Sequence, residues 1–213
     1  MRYQMIDRLR QLLLLCLTLC SVLCASAAYS ASKNLLVLGD SISAEYGLPR
    51  DSGWVNLLQK RLADEKLAFN VINASISGET TAGGLTRLPA LLQQHKPAVL
   101  IIELGGNDGL RGLSLAATQA NLREMIKSAD RIGARVLLLG MRVPPNYGPD
   151  YSKRFAAMYQ GLARERNVKL VPFLFSGLED TERFFQQDRI HPNQRAQPVM
   201  LDNVWPGLRA LLK

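Results

Sequence analysis

Five short apolar runs, separated by stretches with helical spacing, constrain this chain more than any other feature. They are Leu35 to Leu38, Ala68 to Ile72, Ala98 to Ile102, Arg135 to Leu139 and Val168 to Val171. Runs of this length, with no helical continuation, read as strands buried on both faces of a parallel sheet. Between them, apolar residues recur at helical spacing: Trp54, Leu57, Leu58 and Leu62; Leu85 to Gln94, despite Pro89; Leu115, Leu122, Met125, Ile126 and Ala129; Phe155, Met158, Tyr159 and Leu162. A last amphipathic helix carries Met200, Val204, Leu208 and Leu211, and Pro206-Gly207 predicts an interruption in it. Strand and helix alternating five times predicts an α/β fold, a parallel sheet of about five strands covered on both faces, in one domain. Right-handed crossovers then put every strand's carboxyl end on one rim. The segments following strands one, two and three meet there, and the Pro- and Gly-rich stretch from Arg142 to Asp150 is expected as a long loop on the same rim.

The first 27 residues differ in kind. Arg2, Arg8 and Arg10 precede an apolar run from Leu12 to Leu23 and the small residues Ala25-Ser26-Ala27. This is the layout of a secretory signal peptide, cleaved near Ala27, and the run falls short of the ~20 apolar residues of a membrane span. The expected organisation is therefore a signal peptide at 1–27 and a domain at 28–213, in the periplasm or the medium. All three cysteines, Cys16, Cys20 and Cys24, lie inside the apolar run. The remaining chain has neither disulfides nor a cysteine nucleophile. Lipid modification of Cys20 or Cys24 is the alternative, disfavoured by the leucine before each. The formal charge of +8 falls to +6 without the first 27 residues, which hold three basic residues and one acid. The basic residues are scattered, with no long run of one sign, so they read as a solvated surface and not a nucleic-acid site.

Chemistry concentrates in four stretches. Gly39-Asp40-Ser41 ends the first strand, where a serine hydroxyl can stand clear of the sheet, although Asp40 or Ser41 would also serve as a helix cap. Asn73 to Gly78 follows the second strand, and Glu103 to Asp108 the third. Asp188-Arg189-Ile190-His191 lies near the end. Acyl transfer from a serine needs a base, a group orienting that base, and donors for the oxyanion. Of the two histidines, His95 sits at a helix end beside Lys96 and reads as a surface residue, leaving His191 as the credible base. Asp188, three residues earlier, brings a carboxylate beside the imidazole if the segment turns; its competing reading is a helix cap. Gly78 lets its N–H approach an oxygen closely, Gly105-Gly106 turns the chain to present the Asn107 amide, and the Ser41 N–H is a third donor.

These four stretches, in order and spanning Gly39 to His191, resemble the SGNH (GDSL-type) hydrolases, whose blocks supply Ser, Gly, Asn and His. Asn73 to Gly78, Glu103 to Gly112, Ile190 to Asn193, Leu88 to Leu92 and Pro144 to Gly148 most resemble the secreted bacterial branch described as thioesterase I, protease I, lysophospholipase or arylesterase. The resemblance implies a flavodoxin-like three-layer α/β/α fold. It implies Ser41 as nucleophile, His191 as base, Asp188 as its orienting acid, and an oxyanion hole from the Ser41 and Gly78 N–H groups and the Asn107 amide. Glu45 departs from the family pattern, which commonly has glycine there, and a carboxylate at that place is expected to alter acyl or headgroup preference.

The expected activity is hydrolysis of small-molecule esters and thioesters, without metal or organic cofactor, by a monomer in transient contact with lipid surfaces. Leu110 and Leu113, just after Asn107, are candidates to line an acyl channel; anchoring the loop is their alternative role. Two other functions compete: a carbohydrate acetylesterase on the same fold, and a non-catalytic periplasmic binding module. The chain lacks a Gly-x-Ser-x-Gly elbow, a His-Glu-x-x-His pair and a phosphate-cradling Gly-x-x-x-x-Gly-Lys.

Overall fold

The computed structural model describes residues 32–213, Asn167 excepted. The expected signal peptide at 1–27, with its three cysteines, lies outside the described residues. Five strands form one parallel sheet: β1 (Lys33–Gly39), β2 (Phe69–Asn73), β3 (Val99–Glu103), β4 (Arg135–Leu139) and β5 (Lys169–Val171). Their order across the sheet is β2-β1-β3-β4-β5. The central strands are apolar throughout because both their faces are covered, and Leu35 to Leu38 and Val99 to Ile102 have no exposed surface. Helices α1 (Trp54–Asp64) and α7 (Gln197–Arg209) pack together in one layer. The opposite layer holds α2 (Thr81–His95), α4 (Leu115–Arg131) and α5 (Pro149–Arg166). The short helices α3 (Gly106–Leu110) and α6 (Thr181–Phe184) sit after β3 and β5. The expected three-layer α/β/α architecture is the one observed.

The register explains why chemistry collects where it does. β1 pairs with β2 on one side and β3 on the other, and Gly39 lies opposite Glu103. The segments leaving β2, β1 and β3 are thus neighbours at one rim, as the crossover rule requires.

Three expectations need correction. The last helix is not interrupted: α7 runs from Gln197 through Pro206 to Arg209. Proline removes one intrahelical hydrogen bond, but Val204 and Leu208 on either side are fully buried and hold the helix to the sheet. A Cβ on Gly207 would come within 3.1 Å of Leu137, so that glycine permits close packing here and ends nothing. Helix α2 begins at Thr81, four residues ahead of the expected Leu85. Ala82-Gly83-Gly84 has poor intrinsic propensity at its two glycines. The first turn is held instead by the Thr80 cap and by Asp108, which accepts from the Thr81 N–H at 2.9 Å and from its hydroxyl. The loop from Arg142 to Asp150 is shorter than expected, because Pro145–Tyr147 forms a 3₁₀ turn and α5 starts at Pro149.

Candidate active site

Ser41 directly follows the buried Asp40 at the end of β1, on a turn closed by the Ala44 N–H to the Asp40 carbonyl at 2.9 Å. Across from it, residues 186–191 form a compact turn. The Gln186 N–H donates to the His191 carbonyl at 2.8 Å, and Arg189 takes the left-handed conformation that the tight reversal demands. Asp188 organises this turn. Its Oδ1 accepts the N–H groups of Ile190 and His191 at 2.9 and 3.0 Å, which leaves Oδ2 to face His191 Nδ1 at 2.7 Å. His191 Nε2 then stands 2.9 Å from Ser41 Oγ. The structure thus brings together Ser41, His191 and Asp188, 150 residues apart in the chain at the widest. Partial burial opposes the charged form of Asp188, but the hydrogen bonds from the His191 backbone and ring and from Ile190 outweigh it and hold the carboxyl below its ordinary range. Tyr46 lies against the imidazole, ring centroids 4.4 Å apart, and covers one of its faces.

Two glutamines clamp these loops together, and neither was legible as functional in the sequence. Gln186 Nε2 donates to the Tyr46 carbonyl at 2.8 Å. Gln197, buried at the start of α7, accepts from the Trp54 N–H at 3.0 Å and donates to the Asn193 carbonyl at 3.1 Å. The histidine loop is therefore tied both to the serine turn and to the first residue of α1.

The expected oxyanion donors face the same rim. Gly78 adopts φ +79° and Gly105 φ +112°, where a side chain is strained, so both turns require glycine. Among the described residues, neither the Ser41 nor the Gly78 N–H donates to a protein acceptor. The Asn107 amide is engaged: Nδ2 donates to Asp40 Oδ2 and to the Glu79 carbonyl, both at 3.0 Å. Two acceptors on one atom identify it as the nitrogen of the amide. Arg87 fixes the Gly78 loop, donating to Glu79 at 2.7 Å and to the Ala74 carbonyl at 2.9 Å. Arg111 donates to the Gly78 carbonyl at 3.0 Å.

Beneath the serine turn lies a buried carboxyl pair that the sequence did not announce. Glu103, at the end of β3, accepts from the Asp40 N–H at 3.2 Å and the Ser43 hydroxyl at 2.8 Å. Asp40 accepts from the Ile42 N–H at 3.0 Å as well as from Asn107. Burial raises Asp40 to about 6, against hydrogen bonds that favour its ionised form. Burial and the neighbouring Asp40 charge push Glu103 well above the carboxylate range, so Glu103 is the member that keeps its proton. The pair also explains Gly39, because a Cβ there would sit 2.8 Å from both the Glu103 carboxyl and the Ser43 side chain. Glu45, expected to influence the substrate, is turned elsewhere. Its carboxylate accepts from the N–H groups of Gly53 and Asp51 and from Asn56 at the start of α1. Its φ of +58° accounts for the family's glycine, and these bonds offset the strain. Leu110 is half-buried in α3, and Leu113 is exposed beyond it. His95 stays at the far end of α2. Among the described residues, no three His, Cys, Asp or Glu side chains cluster so as to hold a metal ion.

Known proteins resemble this chain over most of its length. The model of the GDSL-like Lipase/Acylhydrolase family matches residues 37–197. Esterase TesA of Pseudomonas aeruginosa is 53% identical over 193 residues, which is 91% of this chain and 96% of that protein. Thioesterase 1/protease 1/lysophospholipase L1 of Escherichia coli K12 is 43% identical over 86% of each chain. The crystal structure of TesA superposes with a TM-score of 0.83 at 55% identity, covering 84% of this chain and all of that one. With the fold, the serine–histidine–aspartate alignment and these similarities in agreement, the chain belongs to the GDSL (SGNH) hydrolase family.

Proposed function

We propose that this hydrolase cleaves carboxylic esters and thioesters through an acyl-enzyme on Ser41. The hydrogen-bonded line Ser41–His191–Asp188, with contacts of 2.9 and 2.7 Å, carries the reading. Ser41 Oγ attacks the acyl carbonyl as His191 Nε2 takes its proton, and Asp188 holds Nδ1–H and stabilises the imidazolium. The oxyanion receives the Ser41 and Gly78 N–H groups, and the Asn107 amide as it releases the Glu79 carbonyl. His191 returns the proton to the departing alcohol or thiol. It then activates water to free the acid and regenerate Ser41.

The substrate classes follow the relatives' names: arylesters, acyl thioesters and lysophospholipids. Leu110 and Leu113 border the acyl chain. The enzyme acts as a monomer in the periplasm or medium, in transient contact with lipid. A serine-directed phosphonate should add its mass to the wild type and not to Ser41→Ala. That variant should melt like the wild type and keep only ~10³-fold catalysis over water. Wild-type turnover by Ser41→Ala would remove the serine from the mechanism.

A further inference from the structure

Five large apolar side chains are conspicuously exposed among the described residues: Tyr46, Ile76, Leu113, Ile132 and Ile190. Four of them belong to the rim. Tyr46 lies on the serine turn and packs on His191. Ile76 lies on the Gly78 loop, its N–H held by the Gly39 carbonyl at 3.0 Å. Leu113 follows α3, and Ile190 precedes His191. Each loop that supplies a site residue thus also lifts one apolar side chain into solvent, each 42–51% exposed. Clustering of this kind is unlike the scattered single residues of an ordinary surface.

Two cations stand among them. Arg111 and Arg189 are exposed and belong to none of the ion pairs among the described residues. Three carboxylates of the site loops are already engaged: Asp188 by His191, Glu79 by Arg87, and Glu45 by the start of α1. Glu179, Asp180 and Glu182, on the segment leading into the histidine loop, belong to none of the ion pairs among the described residues, and the first two accept the N–H groups of Gly177 and Arg183.

We infer that the rim formed by Tyr46, Ile76, Leu113 and Ile190, flanked by Arg111 and Arg189, is a docking face for an anionic lipid surface. This rests on the reading of the site as an acyl hydrolase and names where its substrate is met. Apolar side chains inserted at the headgroup boundary, with an aromatic ring and guanidinium groups beside them, are the composition that binds an interface. A second copy of the chain fits worse. Four half-exposed side chains amount to a few hundred Å² on the order of magnitude, below the ~800 Å² per partner of a standard interface. A two-fold contact would also gather four arginines, two from each copy, in one interface.

Sedimentation with sucrose-loaded vesicles, of phosphatidylcholine alone or mixed equally with phosphatidylglycerol, tests this, alongside turnover of a soluble short-chain p-nitrophenyl ester. The wild type should partition to the mixed vesicles at least about tenfold more strongly than to phosphatidylcholine, and salt should weaken the difference. Ile76→Ser should reduce partitioning to both vesicles about fivefold and leave soluble-ester turnover intact. Arg189→Gln, at an exposed side chain, should lower affinity for the mixed vesicles alone by about fivefold. Wild-type protein remaining in the supernatant with either vesicle, or variants that partition like the wild type, would overturn the docking face. Loss of soluble-ester turnover in the wild type would instead overturn the hydrolase reading.

Discussion

Asn107 is held by the two groups that most constrain what can replace it. Asp40 and the Glu79 carbonyl both take its amide hydrogens, so alanine removes a donor and releases the Gly78 loop together. Asn107→Ala should lower kcat by roughly 10²–10³ with little change in KM. Asn107→Asp sets a second carboxylate against Asp40, so its melting temperature should fall near neutral pH and partly recover in acid. Asp40 itself makes a prediction of definite sign. Its folded-state pKa of about 6 lies above the 3.8 of an ordinary aspartate. Between those values the folded protein holds more protons than the unfolded chain, so this group's stabilisation is present in acid and is lost as pH rises towards 6. The difference in melting temperature, Asp40→Asn minus wild type, should therefore become more positive from about pH 4 to about pH 7. A flat difference would mean that Asp40 is not titrating in that window.

The decisive elements are loops, and their positions are set by side chains far from the chemistry. Gln197 joins the first residue of α1 to the loop after His191 while being almost wholly buried. Truncating it strands the Trp54 N–H and the Asn193 carbonyl, which costs about 1–3 kcal/mol where such groups remain buried. Gln197→Ala should thus lower the melting temperature and also kcat, through loss of the Ser41–His191 alignment, while KM for a small ester stays near wild type. A variant that loses only stability would show that the histidine loop holds its place without the clamp. Arg87 has the equivalent role for the Gly78 loop, which it pins to α2 through Glu79 and Ala74.

At the scale of the whole molecule, the sheet order makes one rim of three segments that the sequence scatters. β1 lies between β2 and β3, so serine, glycine and asparagine arrive side by side, and the segment between β5 and α7 brings His191 to them. Everything the site uses lies between Gly39 and Gln197, so cleavage near Ala27 would remove none of it. Protein recovered from the periplasm or medium should have an intact mass that begins close to Ala28. A mass retaining Cys16, Cys20 and Cys24 would refute cleavage, and an added lipid mass would favour the lipoprotein alternative.

The sequence by itself determined the strands, the parallel sheet and the four stretches that carry chemistry. Strands buried on both faces must be apolar throughout, and the spacing of Asp188 and His191 reaches only across a local turn. Such local signals survive without any knowledge of neighbours. The tertiary structure alone decided the rest. Gly83-Gly84 is helical because Asp108 holds Thr81, and Pro206 is tolerated because its flanking residues are buried in the core. Asp40 caps its own turn through the Ile42 N–H, as the sequence allowed, but it is also a buried carboxyl beside Glu103, because only strand register sets Gly39 next to that residue. Glu45 looked close to the substrate, yet Gly53 and Asn56 turn it away. In each case the deciding partner is distant in the chain, and its effect depends on burial, which the local pattern of residues does not encode.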